Sequence, residues 1–200
     1  IRMKEDISAI RKKLKKKLPP DRYEHSLSVS YTAIALAMRY GCDLEQAELA
    51  GLLHDCARQH DNQTIYEKCL DKGIEVTKDE EANKILLHAK YGSYMAAHKY
   101  GIKDQEILTA IEYHTTGRPK MSLLEKIIYI ADYIEPRRNK AANLAHMRQL
   151  AFIDLDRALY EIMAGILQYL EETNAAIDKQ TQEACIYYRD CYKDSKKAAF

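Results

Sequence analysis

The stretch 49–58, LAGLLHDCAR, places the doublet His54-Asp55 at the end of an apolar helical run. A carboxylate removed from water is costly unless a partner compensates its charge. A divalent metal ion compensates several such groups at once. A single histidine beside apolar neighbours more often bonds a backbone carbonyl. The doublet alone is therefore weak evidence for a metal site, and the residues that accompany it decide the interpretation.

The same anomaly recurs elsewhere in the chain. Polar side chains that can bind a metal follow or interrupt other apolar stretches, such as IIYIADYI at 127–134. Together they form an ordered set on five separate predicted helices, all expected to face the interior. The six candidate ligands are His25, His54, Asp55, His88, His114 and Asp132.

The surrounding sequence predicts an all-α protein, a single-domain helical bundle. Four prolines and seven glycines punctuate segments of helical periodicity. We expect a basic N-terminal helix (1–20) packed on the domain, the domain itself (21–193) and a tail (194–200). Helices are predicted near 4–18, 22–40, 43–57, 62–72, 78–90, 91–100, 104–114, 121–135, 141–149, 151–172 and 177–192.

The composition of the chain limits the classes of binding partner that we expect. The chain has 200 residues, with 31 Lys and Arg against 30 Asp and Glu, for a formal net charge of +1. This balance argues against a nucleic-acid partner, since no large basic surface is expected. No apolar run is long enough to span a membrane. The five cysteines form no C-x-x-C pair and are expected as free thiols in the cytoplasm. The oligomeric state is left open, with a homodimer as one arrangement.

Two segments of the chain resemble each other. The segment 37–41, AMRYG, resembles 97–101, AHKYG, and a histidine follows each glycine at the same distance of 13 residues, as His54 and His114. Two helix–turn–helix units of equal length would aim these histidines at a common point. The remaining positions match poorly, so we infer no duplication.

Four segments in order, RYEHSL (22–27), GLLHDCAR (51–58), EYHTTGR (112–118) and IADYIEPRR (130–138), resemble the HD phosphohydrolases. Within that superfamily they are similar to the YqeK-type bacterial family of symmetrical bis(5′-nucleosyl)-tetraphosphatases. The resemblance covers roughly residues 20 to 190. It implies the HD helical fold and hydrolysis of diadenosine tetraphosphate to two ADP.

Residue by residue, the resemblance implies a core metal site of His25, His54, Asp55 and Asp132. His88 and His114 match additional histidines that reach a second metal or the substrate phosphates. The residues themselves suit iron, manganese, cobalt, nickel or zinc, as one or two ions. The family implies iron.

Catalytic and substrate roles are assigned to further residues. Asp55 is expected to orient or deprotonate a water, while His88 and His114 stabilise developing charge. Arg138 matches an arginine expected near phosphate, although the family more often has a small or polar residue where this chain has Arg137. The remaining candidates for substrate contact are Arg58, Arg118 and Tyr133.

Alternative functions remain open from the sequence alone. One is an HD nucleotidase that acts on (deoxy)nucleoside mono- or triphosphates. Another is a non-catalytic metal or nucleotide sensor. A cyclic-dinucleotide phosphodiesterase is disfavoured because Thr115, not a second histidine, follows His114. An RNA-binding scaffold is disfavoured by the balanced charge.

Overall fold

The computed structural model describes residues 3–141 and 143–197, and every regular element in these ranges is a helix. This confirms the predicted all-α fold. Two short 3-10 helices lie at Cys56–Gln59 and Lys84–Leu86. The α-helices of the described ranges are α1 (Met3–Lys17), α2 (Pro20–Tyr40), α3 (Leu44–Leu53), α4 (Asn62–Asp71), α5 (Lys78–Ala82), α6 (Leu87–Tyr100), α7 (Gln105–Tyr113), α8 (Leu123–Ile134), α9 (Leu144–Ile153), α10 (Leu155–Glu172) and α11 (Lys179–Lys197).

The prediction of separate helices over 78–90 and 91–100 was wrong. A capping box between Thr77 and Glu80 starts the short helix α5, and Asn83 leaves helical geometry at φ −126° and ψ 76°. Helix α6 then runs unbroken through residues 90 and 91. Its apolar stripe explains this continuity, since Leu87 and Tyr91, spaced i and i+4, are both buried against the core.

The prediction of a helix over 43–57 was too long. Helix α3 ends at Leu53, and the chain passes through His54 into the 3-10 turn that begins at Cys56. Because Asp55 adopts φ −104° and ψ 16°, it lies outside α-helical geometry. The histidine–aspartate doublet therefore occupies a helix end rather than a helix interior.

Helices α2, α3, α7 and α8 pack together and carry much of the site. Helices α2 and α3 approach closely at Gly51 of α3, where a Cβ atom would come within 2.8 Å of the Cα of Ser30 in α2. No side chain other than hydrogen fits there. This contact fixes the end of α3, and with it His54, against the helix that carries His25.

The N-terminal helix packs on the domain through its apolar stripe. Ile7, Ile10, Leu14 and Leu18 are buried, whereas the lysines of 12–17 are exposed. At the C-terminal end, helix α11 continues to Lys197. The segment 194–200, which was expected as a tail, is therefore helical as far as Lys197. Residues 1–2 of the expected basic helix and 198–200 of the expected tail lie outside the described residues. Across the described ranges, no helix has the length and apolar character needed to cross a membrane.

Candidate metal centre

All six candidate ligands meet in one cluster. Helix α2 contributes His25, the end of α3 contributes His54 and Asp55, and the first turn of α6 contributes His88. The end of α7 contributes His114, and α8 contributes Asp132. Overlapping triads of these side chains offer ligand atoms that all lie within 4.8 Å of one another, a spacing that suits a metal ion.

One part of the cluster, which we call the first half-site, consists of His25, His54, Asp132 and the Oδ2 atom of Asp55. The Nε2 atoms of His25 and His54 lie 3.3 Å apart. Asp132 Oδ1 lies 3.1 Å from His25 Nε2 and 3.9 Å from His54 Nε2. Asp55 Oδ2 lies 4.0 and 3.8 Å from the same two nitrogens. Two imidazoles and two carboxylates thus converge on one point.

The second half-site consists of His88, His114 and the Oδ1 atom of Asp55. His88 Nε2 and His114 Nε2 lie 3.1 Å apart, and Asp55 Oδ1 lies 3.4 and 3.9 Å from them. The hydroxyl of Thr115 lies 3.3 Å from His88 Nε2 and 3.2 Å from His114 Nε2. Asp55 is 3% exposed and offers one oxygen to each half-site, so it links the two.

The ring orientation of each of three histidines is fixed through its Nδ1 atom. His54 and His114 each face the carbonyl of the residue three positions earlier, Gly51 and Ile111, at 2.7 Å. His88 faces the carbonyl of Ile85 in the same way. A carbonyl only accepts, so each Nδ1 carries the proton and each Nε2 presents a lone pair to the cluster.

This donor set fits a metal ion. Lone pairs on facing Nε2 atoms repel one another unless a cation or a proton lies between them. Imidazole and carboxylate ligands suit divalent transition metals, and histidine ligands with a fixed second nitrogen are the usual arrangement in metal sites.

Burial keeps two of these imidazoles, His54 and His88, neutral at pH 7. Burial lowers the pKa of His54 to about 4. Burial together with the neighbouring His114 lowers the pKa of His88 to about 3. A neutral imidazole is the form that binds a metal.

The remaining groups of the cluster respond to their neighbours' charges. Burial acts to lower the pKa of His25, but hydrogen bonding and attraction from Asp132, aided by Asp55, raise the pKa above its usual value. Burial acts to raise the pKa of Asp55, yet attraction to the protonated forms of the neighbouring imidazoles of His54, His88 and His114 holds that pKa well below its usual range. The pKa of Asp132 is also well below its usual range, because the hydrogen bond from His25 and nearby positive charges outweigh burial. Both carboxylates are therefore ionised at neutral pH, the form in which a carboxylate can bind a metal.

Three arginines surround the carboxylates. Arg22 Nη1 donates to Asp55 Oδ2 at 3.0 Å, and Arg58 Nε lies 3.5 Å from Asp55 Oδ1. Arg138 Nη2 donates to Asp132 Oδ1 at 3.2 Å. These arginine side chains are between 18% and 48% exposed, so they border the cluster on its accessible side.

The other predicted substrate residues differ in the partners that they contact. Arg118 makes two hydrogen bonds of 2.6 and 2.9 Å to the buried carboxylate of Glu125, and its guanidinium lies over Tyr113. Tyr133 lies under the guanidinium of Arg138, 5.6 Å from ring centroid to Cζ. The side chain of Arg137 is exposed, whereas Arg138 reaches Asp132.

Two residues near the cluster were given no role by sequence reasoning. Glu135 is 3% exposed, and its Oε1 atom lies 3.2 Å from His25 Nδ1. Arg22 reaches Asp55 from the first turn of α2. The available signal for Glu135 was its place before Pro136, where a helix must end and a side chain can turn back. Arg22 had a weaker signal, a position three residues before His25.

Comparisons with known proteins agree with this geometry. The HD domain family model matches residues 22–137. A "Bis(5'-nucleosyl)-tetraphosphatase, symmetrical" of Halalkalibacterium halodurans is 41% identical over 172 residues, covering 84% of this chain and 89% of that protein. The protein of the same name from Staphylococcus aureus is 37% identical over 194 residues, covering 96% and 97%.

A solved structure agrees as well. The crystal structure of a predicted HD superfamily hydrolase involved in NAD metabolism from Clostridium acetobutylicum superposes with a TM-score of 0.88 at 41% sequence identity. The match covers 92% of this chain and 96% of that one. The likeness therefore extends over nearly the whole helical bundle rather than the metal centre alone.

Proposed function

The chain belongs to the HD domain family, and from this premise we propose that it hydrolyses dinucleoside tetraphosphates symmetrically, with diadenosine tetraphosphate giving two ADP. The observation that carries the proposal is the cluster of six ligands joined at Asp55 and bordered by three arginines. Such a site combines metal ligands with groups that bind phosphate. The substrate class rests on the relatives that match over most of their length.

The proposal includes a divalent transition metal, with iron as the expected identity. The first half-site supplies His25, His54, Asp55 and Asp132 as ligands, and the second supplies His88 and His114 with the other oxygen of Asp55. When bound, such an ion lowers the pKa of a water and neutralises phosphate charge. A second ion and a substrate phosphate are the two candidates for the second half-site.

The chain's own residues have distinct tasks in this proposal. Asp55 accepts a hydrogen bond from the attacking water or takes its proton. Arg22, Arg58 and Arg138 bind phosphate oxygens, because a planar guanidinium donates two parallel hydrogen bonds to them. His88 and His114 stabilise charge that develops on the phosphate, and Tyr133 lies along a nucleoside.

Product identification tests this proposal. Protein reconstituted with Fe²⁺ or Mn²⁺ is incubated with diadenosine tetraphosphate, and the nucleotides are separated by anion-exchange chromatography. We expect ADP alone, two for each substrate consumed, and turnover by Asp55→Asn protein that is lower by more than about 100-fold under the same conditions. Equal amounts of ATP and AMP would contradict symmetrical cleavage.

The same assay separates the alternatives. A nucleotidase would release phosphate from (deoxy)nucleoside mono- or triphosphates faster than it cleaves the tetraphosphate. A sensor would bind nucleotide tightly and release no product. The proposal includes no nucleic-acid or membrane partner, and sedimentation velocity decides whether the chain forms a homodimer. A reducing compartment such as the cytoplasm fits the five cysteines, which are all free thiols.

A further inference from the structure

Arg148 of helix α9 lies against the turn that follows α8. Its Nε atom donates to the carbonyl of Ile134 at 2.8 Å. Its Nη2 atom donates to the carbonyls of Glu135 and Arg138, each at 2.9 Å. One guanidinium therefore spans the turn 134–138 by holding three of its backbone oxygens.

The position of this guanidinium has an electrostatic reason. The last carbonyls of a helix lack partners within the helix and carry partial negative charge. Helix α8 ends at Ile134, because Pro136 has no N–H and forces Glu135 into extended geometry at φ −49° and ψ 146°. Arg148 supplies positive charge and donors where the helix end needs both.

The turn carries two side chains that reach the metal centre. Glu135 presents Oε1 to His25 Nδ1 at 3.2 Å, while its Oε2 atom accepts from the backbone N–H of Arg137 at 2.7 Å. Arg138 donates to the carbonyl of Asp132 at 3.1 Å and to its carboxylate at 3.2 Å. The shape of the turn thus sets the orientation of His25 and the position of the Arg138 guanidinium.

Helix α9 is itself anchored away from the site. The hydroxyl of Tyr40 donates to the carbonyl of Ala151 at 2.7 Å, and Arg39 donates to the carbonyl of Phe152 at 2.8 Å. The side chains of Met147 and Leu150 are buried on either side of Arg148 in sequence. The helix is therefore a fixed support from which Arg148 reaches the turn.

We propose that Arg148, which lies beyond the segment 22–137 matched by the HD model, is a positioning residue of the metal centre. It acts through the turn 134–138 and touches neither metal nor substrate. Through Glu135 it orients His25 toward the ion, and through Arg138 it places a guanidinium for phosphate. The second effect rests on the proposed function, whereas the first depends only on metal binding.

The test compares Arg148→Met with Arg157→Met, which removes an arginine of α10 paired with Glu161 outside the centre. Binding of Mn²⁺ to the metal-free proteins is measured by isothermal titration calorimetry. We expect Arg148→Met to weaken binding about tenfold, within the usual cost of losing an outer-shell contact of a ligand. Arg157→Met is expected to bind Mn²⁺ as the parent protein does.

A double-mutant cycle on the KM for diadenosine tetraphosphate provides the second readout. At saturating Mn²⁺, Arg148→Met and Arg138→Met should each raise KM. The double variant should be little worse than Arg138→Met alone, because Arg148 affects phosphate binding by placing the Arg138 guanidinium, which Arg138→Met has already removed. When Arg148→Met is combined with Arg58→Met, the changes in the logarithm of KM should add, because Arg148 does not place Arg58. Should Arg148→Met fail to fold, Arg148→Lys is tested, which keeps the charge but cannot span three carbonyls.

Unchanged Mn²⁺ affinity in a folded Arg148 variant would overturn the proposal. So would independent effects of Arg148 and Arg138 on KM. If the parent protein does not turn over the tetraphosphate, the proposed function fails, while the Mn²⁺ titration still decides the role of Arg148.

Discussion

The two half-sites are built alike and charged differently. In each, a glycine with positive φ ends one helix, an aspartate caps the next, and a histidine follows the last residue of that helix. The residues are Gly41, Asp43 and His54 on one side and Gly101, Asp104 and His114 on the other. Both histidines bond the carbonyl three residues back. The similarity between residues 37–41 and 97–101 thus corresponds to two similar helical hairpins.

The difference lies in the residue after each histidine. Asp55 follows His54, whereas Thr115 follows His114. Asp55 gives one oxygen to each half-site, and the first half-site also has Asp132, so it holds more negative charge than the second. The ends of α3 and α7 place the imidazoles of His54 and His114, while the carboxylates decide where an ion is held most tightly. The next equivalent pair, Arg58 and Arg118, differs too, because Arg58 faces Asp55 and Arg118 is bound to Glu125.

The largest expected effect is the loss of activity when Asp55, the residue that both half-sites share, is replaced. Asp55→Asn should lower kcat/KM for diadenosine tetraphosphate more than about 100-fold, beyond the usual cost of an outer-shell change, because both half-sites lose a ligand. The matched variant Thr115→Ala should change it only a few-fold. Steady-state kinetics with equal metal loading measure both. Equal losses in the two variants would contradict the asymmetry.

The next comparison is between the histidines of the two half-sites. His25→Gln removes a ligand from the half-site with two carboxylates, and we expect it to weaken the tightest Mn²⁺ binding at least tenfold. His88→Gln should leave that first binding event within a few-fold of the parent protein. Calorimetric titration of metal-free protein gives both values. A larger loss for His88→Gln would reverse the order of the two half-sites.

Arginine substitutions probe the third difference between the half-sites. Arg58→Met should raise KM roughly tenfold, since a hydrogen bond between charged groups contributes about 1.5–3 kcal/mol. Arg118→Met leaves the buried carboxylate of Glu125 without its ion-pair partner and with only the hydrogen bond from the backbone N–H of Ser122, so we expect a lower melting temperature with little change in KM. A KM for Arg118→Met as high as that for Arg58→Met would restore Arg118 as a substrate contact.

The smallest expected effect is on the stability of metal-free protein at different pH. His54 and His88 have folded pKa values of about 4 and about 3, below 6.5 in the unfolded chain. Between pH 6.5 and 4 the unfolded chain binds more protons than the folded chain, so the free energy of unfolding decreases as the pH is lowered. The loss by pH 5 is roughly 2 kcal/mol for each of these histidines. The raised pKa of His25 opposes this in part, and the stabilisation from Asp55 and Asp132, whose pKa values are lowered, is lost only below about 3.8.

Urea unfolding at pH 7 and pH 5 in the presence of chelator measures this dependence. His88→Gln should flatten it, because one of the two groups that cause it is gone. His98→Gln, which replaces an exposed histidine of α6, serves as the control and should leave it unchanged. A steeper dependence in His88→Gln would mean that His88 stabilises the fold as the pH falls, opposite to the expected sign.

Much of the fold and the membership of the cluster could be predicted from the sequence. Apolar periodicity predicted the helices, and polar residues in apolar runs singled out five of the six side chains that meet. His25 was added through its place in the ordered set of candidate ligands. The end of α3 at Leu53 was not predictable, because the apolar pattern continues through Cys56 and Ala57. The contacts of Glu135, Arg22 and Arg148 depend on how one helix packs against another, which the apolar pattern of each helix does not specify. Arg118 looked equivalent to Arg58 until its partner Glu125 was seen.

We expect the metal centre to be organised around Asp55 and to hold an ion most tightly in the first half-site. Anomalous diffraction from crystals grown with Mn²⁺ or Fe²⁺ tests this directly by locating the ions. We predict the stronger peak in the first half-site, within about 2.2 Å of His25 Nε2, His54 Nε2 and a carboxylate oxygen of Asp132. Any second, weaker peak should lie about 3.5–4 Å away beside His88 and His114, with Asp55 between the two. A peak confined to the second half-site, or one out of reach of Asp55, would show that the centre is not organised around this residue.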